Sequence, residues 1–105
     1  MPELSGFQRK YLKGLAHRLK PVVSIGQKGL TDSSIAAIED ALDTHELIKI
    51  RFLDMKEKAQ KASAAHDIET ACSCDVVGKV GHIIIVYRQH ADPKKRKVSV
   101  PGRTD

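Results

Sequence analysis

The sequence predicts one α/β domain, with its elements in the order helix–strand–glycine loop–helix–strand–helix–strand–strand. Three observations predict it. Apolar residues alternate between helical spacing and short β-branched runs along the chain. A strand and a capped helix start flank the loop Gly26-Gln27-Lys28-Gly29. The unbroken run Ile83-Ile84-Ile85-Val86-Tyr87 suits a centrally placed strand. The 105 residues, 41% hydrophobic and 30% charged, fit a single soluble domain with a modest core.

Ser5 can cap a first helix that runs to about Leu19. Phe7, Tyr11, Leu12, Leu15 and Leu19 share one face, and Arg9, Lys10, Lys13 and His17 gather on another. Pro21 ends that segment, and Val22, Val23 and Ile25 form the first strand. Thr31 caps the second helix, with Leu30 and Ile35 as a hydrophobic staple. Ile35, Ile38 and Leu42 supply its buried stripe. Glu39, Asp40, Asp43 and Glu46 put negative charge toward its end, as a solvated face. Residues 46–53 read as a second strand, with Lys49 and Arg51 pointing away from Ile50 and Phe52. This strand–helix–strand unit calls for parallel pairing and a right-handed crossover. Residues 55–72 form a third helix buried through Ala62, Ala65, Ile68 and Cys72. Residues 74–77 and 82–88 make a hairpin around Gly78-Lys79-Val80-Gly81.

The net charge is +5, unevenly spread. Residues 91–105 hold five basic and two acidic side chains, leaving a nearly balanced body and a basic arm. Such an arm suits a polyanion, most often a nucleic acid, or serves solubility alone. No apolar run approaches a membrane span, and the N-terminal residues lack a signal-peptide pattern. Cys72 and Cys74, one residue apart, make no disulfide framework, which suits a reducing cytoplasm. His66, Cys72, Cys74 and His82 could be drawn as a zinc site, but their spacing matches no familiar pair. No Ser/His/Asp grouping has positional support. The expectation is a binding module with no enzyme activity, metal, cofactor or small-molecule substrate.

The stretch from Val22 to Asp32 is the most informative. A buried strand leads into a Gly-x-x-Gly loop carrying Lys28, and then into a helix N-terminus with unpaired N–H groups and a positive dipole end. Together these make a cradle for a phosphate chain, of the kind KH modules use on nucleic-acid backbones. Two glycines also serve an ordinary strand-to-helix turn, so the surroundings decide. The candidate RNA contacts are Gly26, Gln27, Lys28 and Gly29, with Lys10 and Lys13 on the first helix, Lys20 before the first strand, and Lys94, Lys95, Arg96 and Lys97 in the arm. With aromatic residues at 4%, phosphate and sugar contacts should outweigh base stacking.

Several phrases in matching order resemble the CRM-domain family. They are Lys13-Gly14-Leu15-Ala16-His17, Leu19-Lys20-Pro21-Val22-Val23, Ile25-Gly26-Gln27-Lys28-Gly29-Leu30-Thr31, His45-Glu46-Leu47-Ile48-Lys49 and Val86-Tyr87-Arg88. The similarity covers about residues 8–101 and is greatest to the bacterial stand-alone, YhbY-like RNA-binding proteins. The alanine-rich third helix and residues 102–105 depart from the family pattern. The resemblance implies a mixed four-stranded sheet with helices packed on one face, similar to the C-terminal domain of a bacterial translation initiation factor. It also implies a monomeric cytoplasmic protein that binds ribosomal RNA in precursor large ribosomal subunits. Its loop role carries over to Gly26, Gln27, Lys28 and Gly29. The competing expectation is a protein–protein adaptor whose basic charge is incidental.

Overall fold

The structure, a computed structural model, describes residues 4–102. Residues 1–3, part of the stretch inspected for a signal peptide, and residues 103–105 of the expected basic arm lie outside the described residues.

Ser5 caps α1 (Gly6–Leu15) in a reciprocal box with Gln8. The helix stops earlier than the sequence suggests. A 3-10 turn, Ala16–Arg18, takes over and delivers an extended Leu19 ahead of Pro21. Then follow β1 (Pro21–Ile25), α2 (Asp32–His45), β2 (Leu47–Phe52), α3 (Lys58–Cys72), β3 (Asp75–Val80) and β4 (Ile83–Tyr87). Thr31 caps α2 with Ser34 as the reciprocal partner, and Leu30 and Ile35 both pack against the core, as a staple should.

The sheet order is β1-β2-β4-β3. The β1–β2 pair is parallel, as a helical crossover requires, and the other two pairs are antiparallel. The α/β fold with a mixed four-stranded sheet is therefore as expected. The hairpin turn differs. Its tip is Gly81-His82, with Gly81 at φ +59, whereas Gly78 lies within β3 at a bulge.

Helix placement needs a correction, because the helices do not share one face. α2 and α3 cover one side, packing Ile38, Leu42, Ile68 and Cys72 against Val23, Ile25, Ile48, Ile50, Ile84 and Val86. On the opposite side α1 brings Leu12 and Ala16 onto Leu47, Val77, Ile85 and Tyr87. The pairings Ile48–Val86 and Leu47–Tyr87 show the alternation that sends neighbours to opposite cores. This two-sided burial explains why β4 is apolar at every position. α3 begins at Lys58, later than expected. Met55 is buried from the preceding loop, Ala62 is exposed, and Ala64 joins Ala65 in the core. No helix among the described residues is long and apolar enough to cross a membrane.

Candidate nucleic-acid interface

Ile25, buried at the end of β1, fixes where the glycine loop begins, and its carbonyl accepts the Leu53 N–H at 2.7 Å. The loop closes on itself, with Gly29 N–H donating to the Gly26 carbonyl at 3.0 Å. Gln60 of α3 braces it, its Nε2 donating to the Gln27 carbonyl at 3.4 Å. The two glycines have different grounds. Gly29 sits at φ +81, a conformation that disfavours any side chain. Gly26 has no positive φ, and a Cβ built there meets nothing within 4 Å. The fold therefore does not demand a glycine at 26, whereas close approach by a partner backbone would. Gly26, Gln27, Lys28 and Gly29 line a concavity of about 520 Å³ together with Thr31 and Ser33 at the start of α2. Gln27 and Lys28 are exposed. Backbone donors, the helix's positive end and one lysine thus surround a space open to an anion.

The other candidate residues divide into groups. Lys20 and Lys97 both line a neighbouring groove of about 580 Å³, although they stand 77 positions apart in sequence. Val22 lines both that groove and the loop concavity, so the two are neighbours on the surface. Lys10 lies beside Phe7 and Tyr11 in the adjoining hollow. Lys13 goes elsewhere. Its stem lies on Gly78 of β3, where an added Cβ would stand 3.1 Å from Lys13 Cδ. Arg9 is also turned to β3, with Nη1 donating to the Val76 carbonyl at 2.7 Å. The basic face expected on α1 is thus split, since half of it is anchored over the sheet edge opposite β1.

Within residues 91–102 the basic arm is docked onto the body. Glu46, fully buried at φ 63, holds it. Its carboxylate accepts the N–H groups of His90 at 2.7 Å, Val98 at 2.8 Å and Lys97. Val100 is buried in the α1-side core, and Gln8 Nε2 donates to the Pro101 carbonyl at 3.0 Å. Lys94 and Lys95 project from a 3-10 turn and are exposed, as is Lys97. Arg96 is half-buried and donates through Nε to the His90 carbonyl at 2.9 Å, so it helps build the strap.

The solvated acidic face expected on α2 also needs correction. Arg88 bonds Glu39 at 2.6 Å and Asp43 at 2.9 Å, and reaches the Cys72 carbonyl at 2.8 Å, tying β4 to α2 and α3. Burial works against the Arg88 charge, but these two carboxylates outweigh it and raise its pKa. Sequence reasoning missed both Glu46 and Arg88 as structural keystones. The available signal was their presence in the phrases that carry the family resemblance. The thiols are core residues. Burial, then Glu39, pushes Cys72 up, and burial pushes Cys74 up to about 12, so both stay protonated at neutral pH. Among the described residues no group of three or more His, Cys, Asp or Glu is placed to hold a metal.

The model of the CRS1/YhbY (CRM) domain matches residues 4–88, most of the chain. The chain belongs to the CRS1/YhbY (CRM) domain family. A Haemophilus influenzae relative named an RNA-binding protein is 39% identical over 94 residues, covering 90% of this chain and 94% of its own. A Pseudomonas aeruginosa relative, named a probable RNA-binding protein, is 34% identical and covers 84% of each chain. A solution structure of a hypothetical protein from Staphylococcus aureus, described as a putative RNA binding protein, superposes with a TM-score of 0.78 at 31% identity. The superposition covers 92% of this chain and all of that one. The CRM match contains the glycine loop, α1 and the Arg88 staple, while the docked strap follows it in sequence.

Proposed function

We propose that this chain is an RNA-binding module that seats the sugar–phosphate backbone in the glycine-loop cradle. The observation that carries this is the open space over Gly26, where the fold itself needs no glycine, beside exposed Lys28 at a helix start. The relatives named for RNA binding and the net charge of +5 support the same reading. Most of the affinity comes from phosphate and sugar, because the cradle offers backbone donors and charge with few base-reading groups. Lys20 and Lys97 extend the basic path, and Lys10, Lys94 and Lys95 add to it. Lys13 and Arg96 contribute less, because one lies on β3 and the other bonds within the strap.

The RNA is ribosomal, bound in precursor large subunits in a bacterial cytoplasm, and the protein acts there as a monomeric assembly factor with no catalysis of its own. The family resemblance supports this finer assignment. Replacing Gln27 and Lys28 by aspartate tests the cradle. Affinity for ribosomal RNA in a filter-binding titration should fall roughly tenfold or more, with unchanged melting. Full affinity in the folded variant would refute the cradle. Sucrose-gradient fractions from growing cells test the assignment to the subunit. The protein should travel with large-subunit precursors, and its confinement to the top fractions at low salt would refute that role.

A further inference from the structure

The chain has four aromatic residues, and the fold treats them in two ways. Phe52 and Tyr87 are core residues at 2% and 0% exposure. Phe7 and Tyr11 are 68% and 39% exposed, and with Leu15 and Leu19 they form a stripe at fourfold spacing along α1 and its following turn. Leu12 and Ala16 face the sheet instead. The stripe and exposed Val22 border the 580 Å³ groove and the hollow beside it, which share Tyr11 and Leu15. An apolar surface left open in this way marks an interaction site.

We propose that this groove takes unpaired nucleobases from the RNA strand whose phosphates lie in the glycine loop, with Tyr11 and Phe7 as stacking surfaces. The inference rests on the RNA-binding reading above and adds a preference for single-stranded flanks. Two features identify the occupant. The rim is cationic, with Lys20 and Lys97 on the groove and Lys10 on the hollow, which matches bases attached to a phosphate chain. The groove also borders the cradle at Val22, about 13 Å along β1 from Gly26 at strand spacing. A strand leaving the loop reaches the groove within a few nucleotides. A second copy of this chain is disfavoured, because its seat would bring two sets of rim lysines on +5 molecules together.

The test compares two RNA hairpins with the same stem, one blunt and one with four-nucleotide single-stranded arms containing 2-aminopurine. Fluorescence anisotropy gives the affinity of each for the wild-type protein, Phe7→Ala/Tyr11→Ala, Tyr11→Phe and Lys28→Asp. The armed hairpin should bind the wild type roughly tenfold more tightly than the blunt one. The double variant should lose that gain and keep its blunt-stem affinity. Tyr11→Phe should retain the gain, and the 2-aminopurine signal should change on binding only where the gain is present. Lys28→Asp should weaken both RNAs. Because Phe7 and Tyr11 are partly exposed, thermal melting should be nearly unchanged, and Leu15→Gln offers a second groove variant without an aromatic change. Equal wild-type affinity for the two hairpins, or equal weakening of both by the double variant, would overturn the base-stacking groove and leave the cradle standing. Failure of the wild type to bind either hairpin at low salt would count against the RNA reading itself, and the groove proposal would fall with it.

Discussion

The two ends of α2 show how one helix can serve opposite purposes. At its start the glycine loop makes few internal bonds, keeps Gln27 and Lys28 exposed and surrounds an open concavity. At its end Glu46 is fully buried and its carboxylate accepts three N–H groups of the returning chain. Arg88 adds a second closure there, pairing with Glu39 and Asp43. The helix dipole favours this division, with an anion-seeking start and a cation near its last turns. Polar groups at one end are satisfied inside the molecule, and those at the other remain open to a partner. The difference teaches that, with RNA seated as proposed, stability and binding are separable by substitution along a single element.

The largest expected effect is at the closed end. Glu46→Ala should cost about 3 kcal/mol, because it strands N–H groups that a charged acceptor now satisfies. Urea unfolding reads this loss, and protease sensitivity of residues 90–101 reads the release of the strap. A Glu46→Ala protein as stable as the wild type would erase the contrast between the two ends. Next is Arg88→Met, expected to cost about 1–2 kcal/mol, chiefly by leaving the Cys72 carbonyl without its donor and only slightly through the more exposed Glu39 and Asp43, read by the same unfolding curves. At the open end, Gly29→Ala should cost about 1 kcal/mol through its positive φ. Gly26→Ala should leave melting unchanged while weakening RNA binding. If the two glycine variants lose stability equally, the claim that only Gly29 serves the fold is wrong. The smallest effect concerns the strap. Neutralising Lys94, Lys95 and Lys97 should flatten the log–log salt dependence of RNA binding by at most roughly 0.7–0.9 for each phosphate left without its cation. An unaltered slope would confine the RNA site to the folded body.

The element order, the caps at Ser5 and Thr31, the staple of Leu30 and Ile35, and the place of the glycine loop between β1 and α2 were all legible in the sequence. Each depends on residues within a few positions of one another, where backbone sterics and local hydrogen bonds decide. Periodicity was less dependable on α1. Leu12 was placed correctly, but Phe7, Tyr11 and Leu15 are apolar residues that the core does not take up. A spacing rule detects an apolar face and cannot tell whether the molecule or a partner will cover it.

What the tertiary structure alone decided is the meeting of distant parts. It set α1 on the face opposite α2 and α3, brought Lys20 and Lys97 to one groove, sent Lys13 onto Gly78, and turned the basic arm into a strap held by Glu46. It also converted acidic residues that read as a solvated face into partners for Arg88 and for the strap backbone. The physical reason is that a charged side chain shows no preference for water or for a distant partner in its local sequence. The choice is made only when folding excludes water from the site and brings a compensating group within hydrogen-bond reach.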